Sequence, residues 1–225
     1  MFGCGEERYK LWWSGEKKKV GGVGILVREN LVVDVIQVER INARIIKIKI
    51  IMERKVANIF SVYAQVGRPE EEKEAFWGTL DDATMVSESE VLLVAGDLTG
   101  HIGEDRGGFE EVMGTYGFGV RNRQGERILE FCQSKELRVI NTMFKKDREK
   151  KITYKSGGAE TQIDFILLKR EREIHIRDCK VIPGEACLTQ HRLLRADLNV
   201  TNLKRAKMQR GENKIKEWKL KDEDT

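Results

Sequence analysis

Three short segments of this 225-residue chain carry side chains able to move protons, each at the edge of an apolar run. In VAGDLTGHIG, residues 94–103, the run stops at Gly96 and presents Asp97 on the following loop. Strand ends and loops on a rigid sheet are where catalytic carboxylates sit, although an Asp there also serves as a turn-former or a helix cap. In TQIDFILL, residues 161–168, Asp164 interrupts an otherwise apolar strand. A carboxylate in that position is costly unless it is paired or hydrogen-bonded, so it demands a partner, either a functional group or a lysine in a structural ion pair. In LTQHRLLRADL, residues 188–198, His191 precedes another apolar run. Alone it reads as a surface histidine; with Asp164 to orient its imidazole it becomes an acid–base candidate. Tyr63, in SVYAQVG, can give its hydroxyl to a phosphate or pack as an ordinary aromatic.

These residues need strands to hold them. Residues 20–28 are Gly-punctuated and β-branched, residues 31–36 follow after Glu29 and Asn30, and together they predict a hairpin. Residues 44–50 alternate, with Ile46, Ile48 and Ile50 on one side and Lys47 and Lys49 on the other, which predicts a strand with one wet face. Residues 56–63 supply the next strand. Pro69 followed by Glu70, Glu71 and Glu72 opens a helix whose apolar side is Phe76, Trp77, Leu80 and Ala83. Residues 91–95 read as a strand buried on both faces. After a Gly-rich loop at 100–119, a second helix is expected at 124–135, with Ile128, Leu129, Phe131 and Cys132 inward. Further strands are expected near 138–142, 152–154, 163–168, 174–182 and 193–198. Many strands with two interspersed helices predict two packed sheets with helices outside.

Composition narrows the class. At 40% hydrophobic residues with only 2 prolines, the chain can bury one substantial core. Residues 1–19 are polar and charged around Trp12 and Trp13 and show no signal-peptide run. The apolar runs are strand-sized, far below the roughly 20 residues that span a bilayer, so no membrane partner is expected. Cys4, Cys132, Cys179 and Cys187 are widely spaced, with no CxxC pair, and read as reduced thiols in an intracellular setting, nucleus or cytoplasm. The net charge of +4 is unevenly placed: residues 201–225 hold 8 of the 41 Lys and Arg and 5 of the 37 acids, leaving the rest nearly neutral. Attraction to a polyanion therefore falls to this tail and to the loop at 145–151, which has 5 Lys and Arg against 2 acids.

Taken in order, Tyr63, Asp97, Thr153, Asp164 and His191 resemble the endonuclease/exonuclease/phosphatase superfamily, on the branch of non-LTR retrotransposon endonucleases. The similarity runs from residue 8 to 198 and includes YKLWWSG, VGGVGILV, GVRNRQGERILEFC and INTMF. It implies an α+β fold of two stacked, mostly antiparallel β-sheets flanked by helices, four layers α/β/β/α, with the N-terminal strands missing. The domain would occupy residues 1–200, and 201–225 would be a charged tail. The resemblance also implies phosphodiester hydrolysis with Mg2+, in which metal neutralises charge while water attacks phosphorus. Asp97 would match the acid of a GDxN motif that orients or deprotonates the water. Asp164 would match the acid that holds the catalytic histidine, His191 that histidine on the scissile phosphate, and Tyr63 a tyrosine on the phosphate. Thr153 would lie near the DNA backbone, and Thr99, Arg121 and Asn122 would contact substrate.

Three departures follow from the same comparison. The family's opening strands carry an Asn and the Glu that is its principal metal ligand, and no residue before Tyr63 fits that Glu in context. Thr99 stands for the Asn of GDxN, and Thr189, Gln190, His191 for Ser-Asp-His, so Gln190 is a degenerate metal position. Hard cations favour anionic oxygen, which predicts weak Mg2+ binding and little or no nuclease activity. Two function classes are thus expected: a DNA endonuclease-like domain with impaired catalysis, or a non-catalytic module binding nucleic acid or a protein partner. Sheet edges left open by missing strands would favour self-association.

Overall fold

The computed structural model describes residues 2–4, 7–15, 22–53, 55–64, 67, 69–170, 174–186 and 190–200. The chain runs through β1 (Phe2–Cys4), β2 (Glu7–Ser14), β3 (Val23–Arg28), the single turn α1 (Glu29–Val32), β4 (Val35–Asn42), β5 (Ile45–Met52), β6 (Lys55–Tyr63), α2 (Glu70–Ala83) and β7 (Val91–Asp97). It continues with α3 (Arg123–Ser134), β8 (Leu137–Val139), β9 (Tyr154–Ser156), β10 (Ala159–Thr161), β11 (Asp164–Lys169), β12 (Ile174–Ala186) and β13 (Arg192–Val200). The tail, Cys187 and Thr189 lie outside the described residues.

The central element is a six-stranded sheet ordered β4-β5-β6-β7-β11-β8. Only β6 and β7 run parallel, because α2 carries the chain across between them; the other neighbours are antiparallel. Helices α2 and α3 cover one face. Pro69 at the N-cap, with three glutamates in the first turn, starts α2, where acids complement the positive end of the dipole. Phe76, Trp77 and Leu80 from α2 and Ile128, Leu129, Phe131 and Cys132 from α3 pack onto Phe60, Val62, Leu92, Val94 and Phe165. On the opposite face, Val27 of β3 and Ile174 and Cys179 of β12 join Ile48, Ile50, Ala57, Val91 and Leu168 in a second core. That second layer consists of two separate sheets, β1-β2-β3 and β12-β13. The fold class is therefore the one expected, mostly antiparallel sheets stacked face to face. The two long helices described lie on one side of the stack. No helix among the described residues is long and apolar enough to cross a membrane.

Two local expectations are corrected. The hairpin of 20–28 with 31–36 does not form: β3 pairs with β2, and β4 pairs with β5 in the other sheet. The polar break at Glu29 and Asn30 winds into a helical turn that carries the chain from one layer to the next, and the charged composition of residues 7–14 conceals the strand that β3 meets. The wet face of β5 is also absent at its centre. Lys47 is only 8% exposed; its ammonium donates to both Glu39 carboxylate oxygens at 3.0 and 3.1 Å and lies 5.7 Å from the Phe60 ring. A period-2 pattern distinguishes two faces but cannot say that the polar one reaches water, and here Glu39 and the Phe60 ring flank the Lys47 ammonium.

Candidate active site

The site begins with strand register. Asp164 at the start of β11 stands opposite Asp97 at the end of β7, and Tyr63 at the end of β6 stands beside Asp97 across the parallel pair. Directly paired residues project from the same side of a sheet, so three groups far apart in sequence share one sheet end. Close approach of β6 and β7 depends on Gly96, whose φ is +150 and at which a Cβ would stand 1.9 Å from the Val62 carbonyl oxygen.

His191 reaches this end from the second layer. Its Nδ1 lies 3.2 and 3.1 Å from the two Asp164 carboxylate oxygens, and its Nε2 lies 4.0 Å from Asp97 Oδ2. The imidazole thus sits between two carboxylates that would otherwise face each other as like charges. Side-chain exposures of 24% for His191, 14% for Asp97 and 20% for Asp164 leave the cluster half-buried and open on one side. Burial first, and the Asp164 charge second, push the Asp97 carboxyl up to about 6, against the opposing pull of the Thr99 amide and of His191. A half-buried acid poised there, next to an imidazole, can exchange protons with a bound water or phosphate near neutral pH.

Thr99 holds Asp97 from the loop. Its amide donates to Asp97 Oδ1 at 2.9 Å, and its φ is +55, a conformation that a β-branched residue adopts only with strain. Asn tolerates that region. Thr99→Asn is expected to raise stability by about 0.5–1 kcal/mol while keeping the turn; an unchanged or lower urea midpoint would argue against strain at this position.

The remaining site residues expected from sequence are placed differently. Thr153 is fully buried, and its Oγ1 accepts from the amides of Ile163 and Asp164 at 3.0 and 3.1 Å. It therefore cannot touch a DNA backbone, and its role is corrected to anchoring the strand that bears Asp164. Arg121 donates from Nε to the Ile102 carbonyl at 3.2 Å and from its guanidinium to the Asp105 carbonyl, and covers the Phe109 ring. It pins the Gly-rich loop. Asn122 caps α3, its Oδ1 accepting from Gly125 and His101 amides at 2.8 and 3.0 Å; Thr99 and Asn122 both border a cavity of about 230 Å³ beside Trp77. Gln190 turns its oxygen to the Tyr154 hydroxyl, 3.1 Å away. Two residues were not foreseen. Asn141, buried, donates to the Asp164 carbonyl and accepts from the Ile166 amide, both at 3.0 Å, extending the β11 ladder past the end of β8. Tyr154 meets the His191 ring at 4.8 Å between centroids. Neither carries a periodicity signal, since one follows a short strand and the other lies on a two-stranded ribbon.

No family model matches the chain. It is 25% identical over 193 residues to craniofacial development protein 2 of Bos taurus, a match covering 84% of this chain and 32% of that protein. The chain thus spans about a third of the length of the curated relative. The endonuclease domain of TRAS1, a telomere-specific non-LTR retrotransposon, superposes with a TM-score of 0.59 at 14% identity, covering 87% of this chain and 81% of that one. An endonuclease/exonuclease/phosphatase family protein from Leptotrichia buccalis gives 0.55 at 16% identity, over 86% and 73% of the two chains. The fold is that of the endonuclease/exonuclease/phosphatase proteins. Danio rerio TDP2, solved with a single-strand DNA product, shares it with a TM-score of 0.59 at 11% identity, covering 85% and 77%.

Proposed function

We propose that this chain is a retrotransposon-derived DNA endonuclease-like domain that receives a phosphodiester at the Asp97–His191–Asp164 cluster and hydrolyses it slowly. The observation that carries the reading is the imidazole of His191 held at 3.1 Å by Asp164 and 4.0 Å from Asp97, at a sheet end shared with Tyr63. Asp164 orients the ring. The Nε2 edge and the Tyr63 hydroxyl bind the phosphate oxygens, where charge builds as water attacks phosphorus and the bond from phosphorus to the leaving sugar oxygen breaks, that oxygen taking its proton from solvent. Asp97, a carboxylate above pH about 6, orients that water and takes its proton.

The residues present do not fit a tight magnesium site. Both Asp164 oxygens face His191 Nδ1, the Gln190 oxygen is engaged by Tyr154, and the described residues include no group of three or more His, Cys, Asp or Glu placed to hold a metal ion. Magnesium demands near-octahedral oxygen, anionic for preference. Proton transfer and hydrogen bonding alone recover only part of the acceleration that a bound cation gives, which supports impaired catalysis.

A binding-only module is the second reading, and the loop at 145–151 weakens its nucleic-acid form. Lys146 pairs with Asp178, Arg148 with Glu160 and Lys150 with Asp147, and Lys151 donates to the Gly117 carbonyl at 3.1 Å. Charges already paired offer few phosphate contacts and a shallow salt dependence.

Plasmid nicking with magnesium present tests the main reading. Cleavage is expected at least about 100-fold slower than by an intact fold relative, and His191→Ala should remove what remains. A rate equal to the relative's refutes the impairment; an His191→Ala protein as active as the parent, or a parent that neither cleaves nor binds a DNA oligonucleotide, refutes the assignment.

A further inference from the structure

We infer that Tyr154 is a positioning residue for His191, held in register by Gln190 and Ser156. Its functional meaning rests on the phosphodiesterase reading, but the contact itself does not. The Tyr154 ring meets the imidazole nearly edge-on, with centroids 4.8 Å apart and planes at 66°. Aromatic pairs in that geometry attract beyond their buried area. The Tyr154 hydroxyl donates to Gln190 Oε1 at 3.1 Å, and Gln190 Nε2 donates to Ser156 Oγ at 2.9 Å. Gln190 immediately precedes His191, so this chain of side chains ties the residue before the ring to β9.

The backbone repeats the tie. The Lys155 amide donates to the Gln190 carbonyl at 2.9 Å and the Arg192 amide to the Thr153 carbonyl at 2.8 Å, with Tyr154 and His191 forming an isolated antiparallel bridge between them. The β9-β10 ribbon belongs to neither large sheet. It turns at Gly157 and Gly158, both at positive φ, as tight two-residue hairpins require. The Tyr154–Gln190–Ser156 bonds lie at an exposed surface, where single hydrogen bonds add little to stability. What they determine is local: the side on which the imidazole is bounded by a ring rather than by water. A histidine with one carboxylate partner can still pivot about that bond; a second contact removes the pivot and keeps Nε2 directed at Asp97.

Proton and nitrogen NMR of the full chain, labelled at histidine, tests this. His191→Asn identifies the His191 signals against those of His101 and His175. Tyr154→Ala is expected to move the His191 ring-proton shifts toward those of a free imidazole and to speed exchange of its Nδ1 proton with water roughly two- to tenfold. Tyr154→Phe, which keeps the ring but loses the hydroxyl's bond to Gln190, and Gln190→Ala should both fall between the parent and Tyr154→Ala. Tyr154→Leu replaces the alanine variant if that protein fails to fold, with the same direction of change. Unchanged shifts and exchange in a folded Ala or Leu variant overturn the inference, as does a Phe variant that behaves like Ala. These signals do not require turnover, so a chain that cleaves nothing would leave them intact, and their failure would leave the cleavage assay unaffected.

Discussion

Thr153→Val should lower the stability of the whole domain by about 2–5 kcal/mol, because two amides lose their acceptor in a place water cannot reach. The residue is fully buried, and its Oγ1 is bonded to the Ile163 and Asp164 amides at 3.0 and 3.1 Å. Valine has the same shape, so packing is preserved and the loss is one of hydrogen bonding alone. Each orphaned donor costs about 1–3 kcal/mol. Thr153→Ser keeps the oxygen and gives up one methyl, about 0.8 kcal/mol. The two variants therefore separate polarity from volume: the urea midpoint should fall steeply for valine and slightly for serine. The Asp164 amide should also lose protection from hydrogen exchange in the valine protein first, because it begins β11 and Thr153 Oγ1 is its partner. Equal midpoints for the two variants would show that the hydroxyl does not carry these amides.

Asp97→Asn is expected to act in the opposite direction. The Asp97 carboxyl is pushed up from 3.8 to about 6 by burial and by the neighbouring Asp164 charge. A raised acid means that the folded protein binds this proton more tightly than the unfolded chain. Between pH about 4 and 6 the folded state therefore holds more protons, and stability falls as pH rises through that window. Above it the full penalty applies, at most about 3 kcal/mol for a shift of this size. Asparagine carries no charge and still accepts the Thr99 amide, so its protein should be more stable by about 1–3 kcal/mol at pH 7.5. That is roughly 2–4 °C in melting temperature per kcal/mol for a chain of this length. The gain should vanish below pH about 4, where both proteins are neutral at this position. Melting curves across that range decide the matter: a difference between the proteins that is independent of pH would place the penalty elsewhere.

The same charge arrangement explains why parts of the site could be read from sequence. Asp97 and Asp164 were conspicuous because an acid bordering an apolar strand violates local preference, and such violations gather at functional positions. His191 drew attention only through the need of Asp164 for a partner, and the two do meet. Thr153, Arg121 and Asn122, expected at the substrate, each hydrogen-bond to backbone groups instead. Whether a polar side chain faces a ligand or the backbone depends on which amides lack partners, and that is settled by neighbours distant in sequence. Asn141 completes the β11 ladder for that reason and had no local signature. Lys47 shows the converse, a charge that alternation assigned to water and that Glu39 holds in the interior.

What the amino-acid order determined by itself was the alphabet of elements: apolar alternation for the strands, Pro69 with its glutamates for the start of α2, and the strand-end acids. These are short-range effects, decided by a residue and its few neighbours. The partner of each strand, the layer of β2 and β3, the burial of Thr153 and the Tyr154 ring against His191 were decided only when the sheets stacked. Packing chooses among locally equivalent arrangements by the apolar area they bury and the buried polar groups they leave satisfied, and both quantities belong to the whole fold.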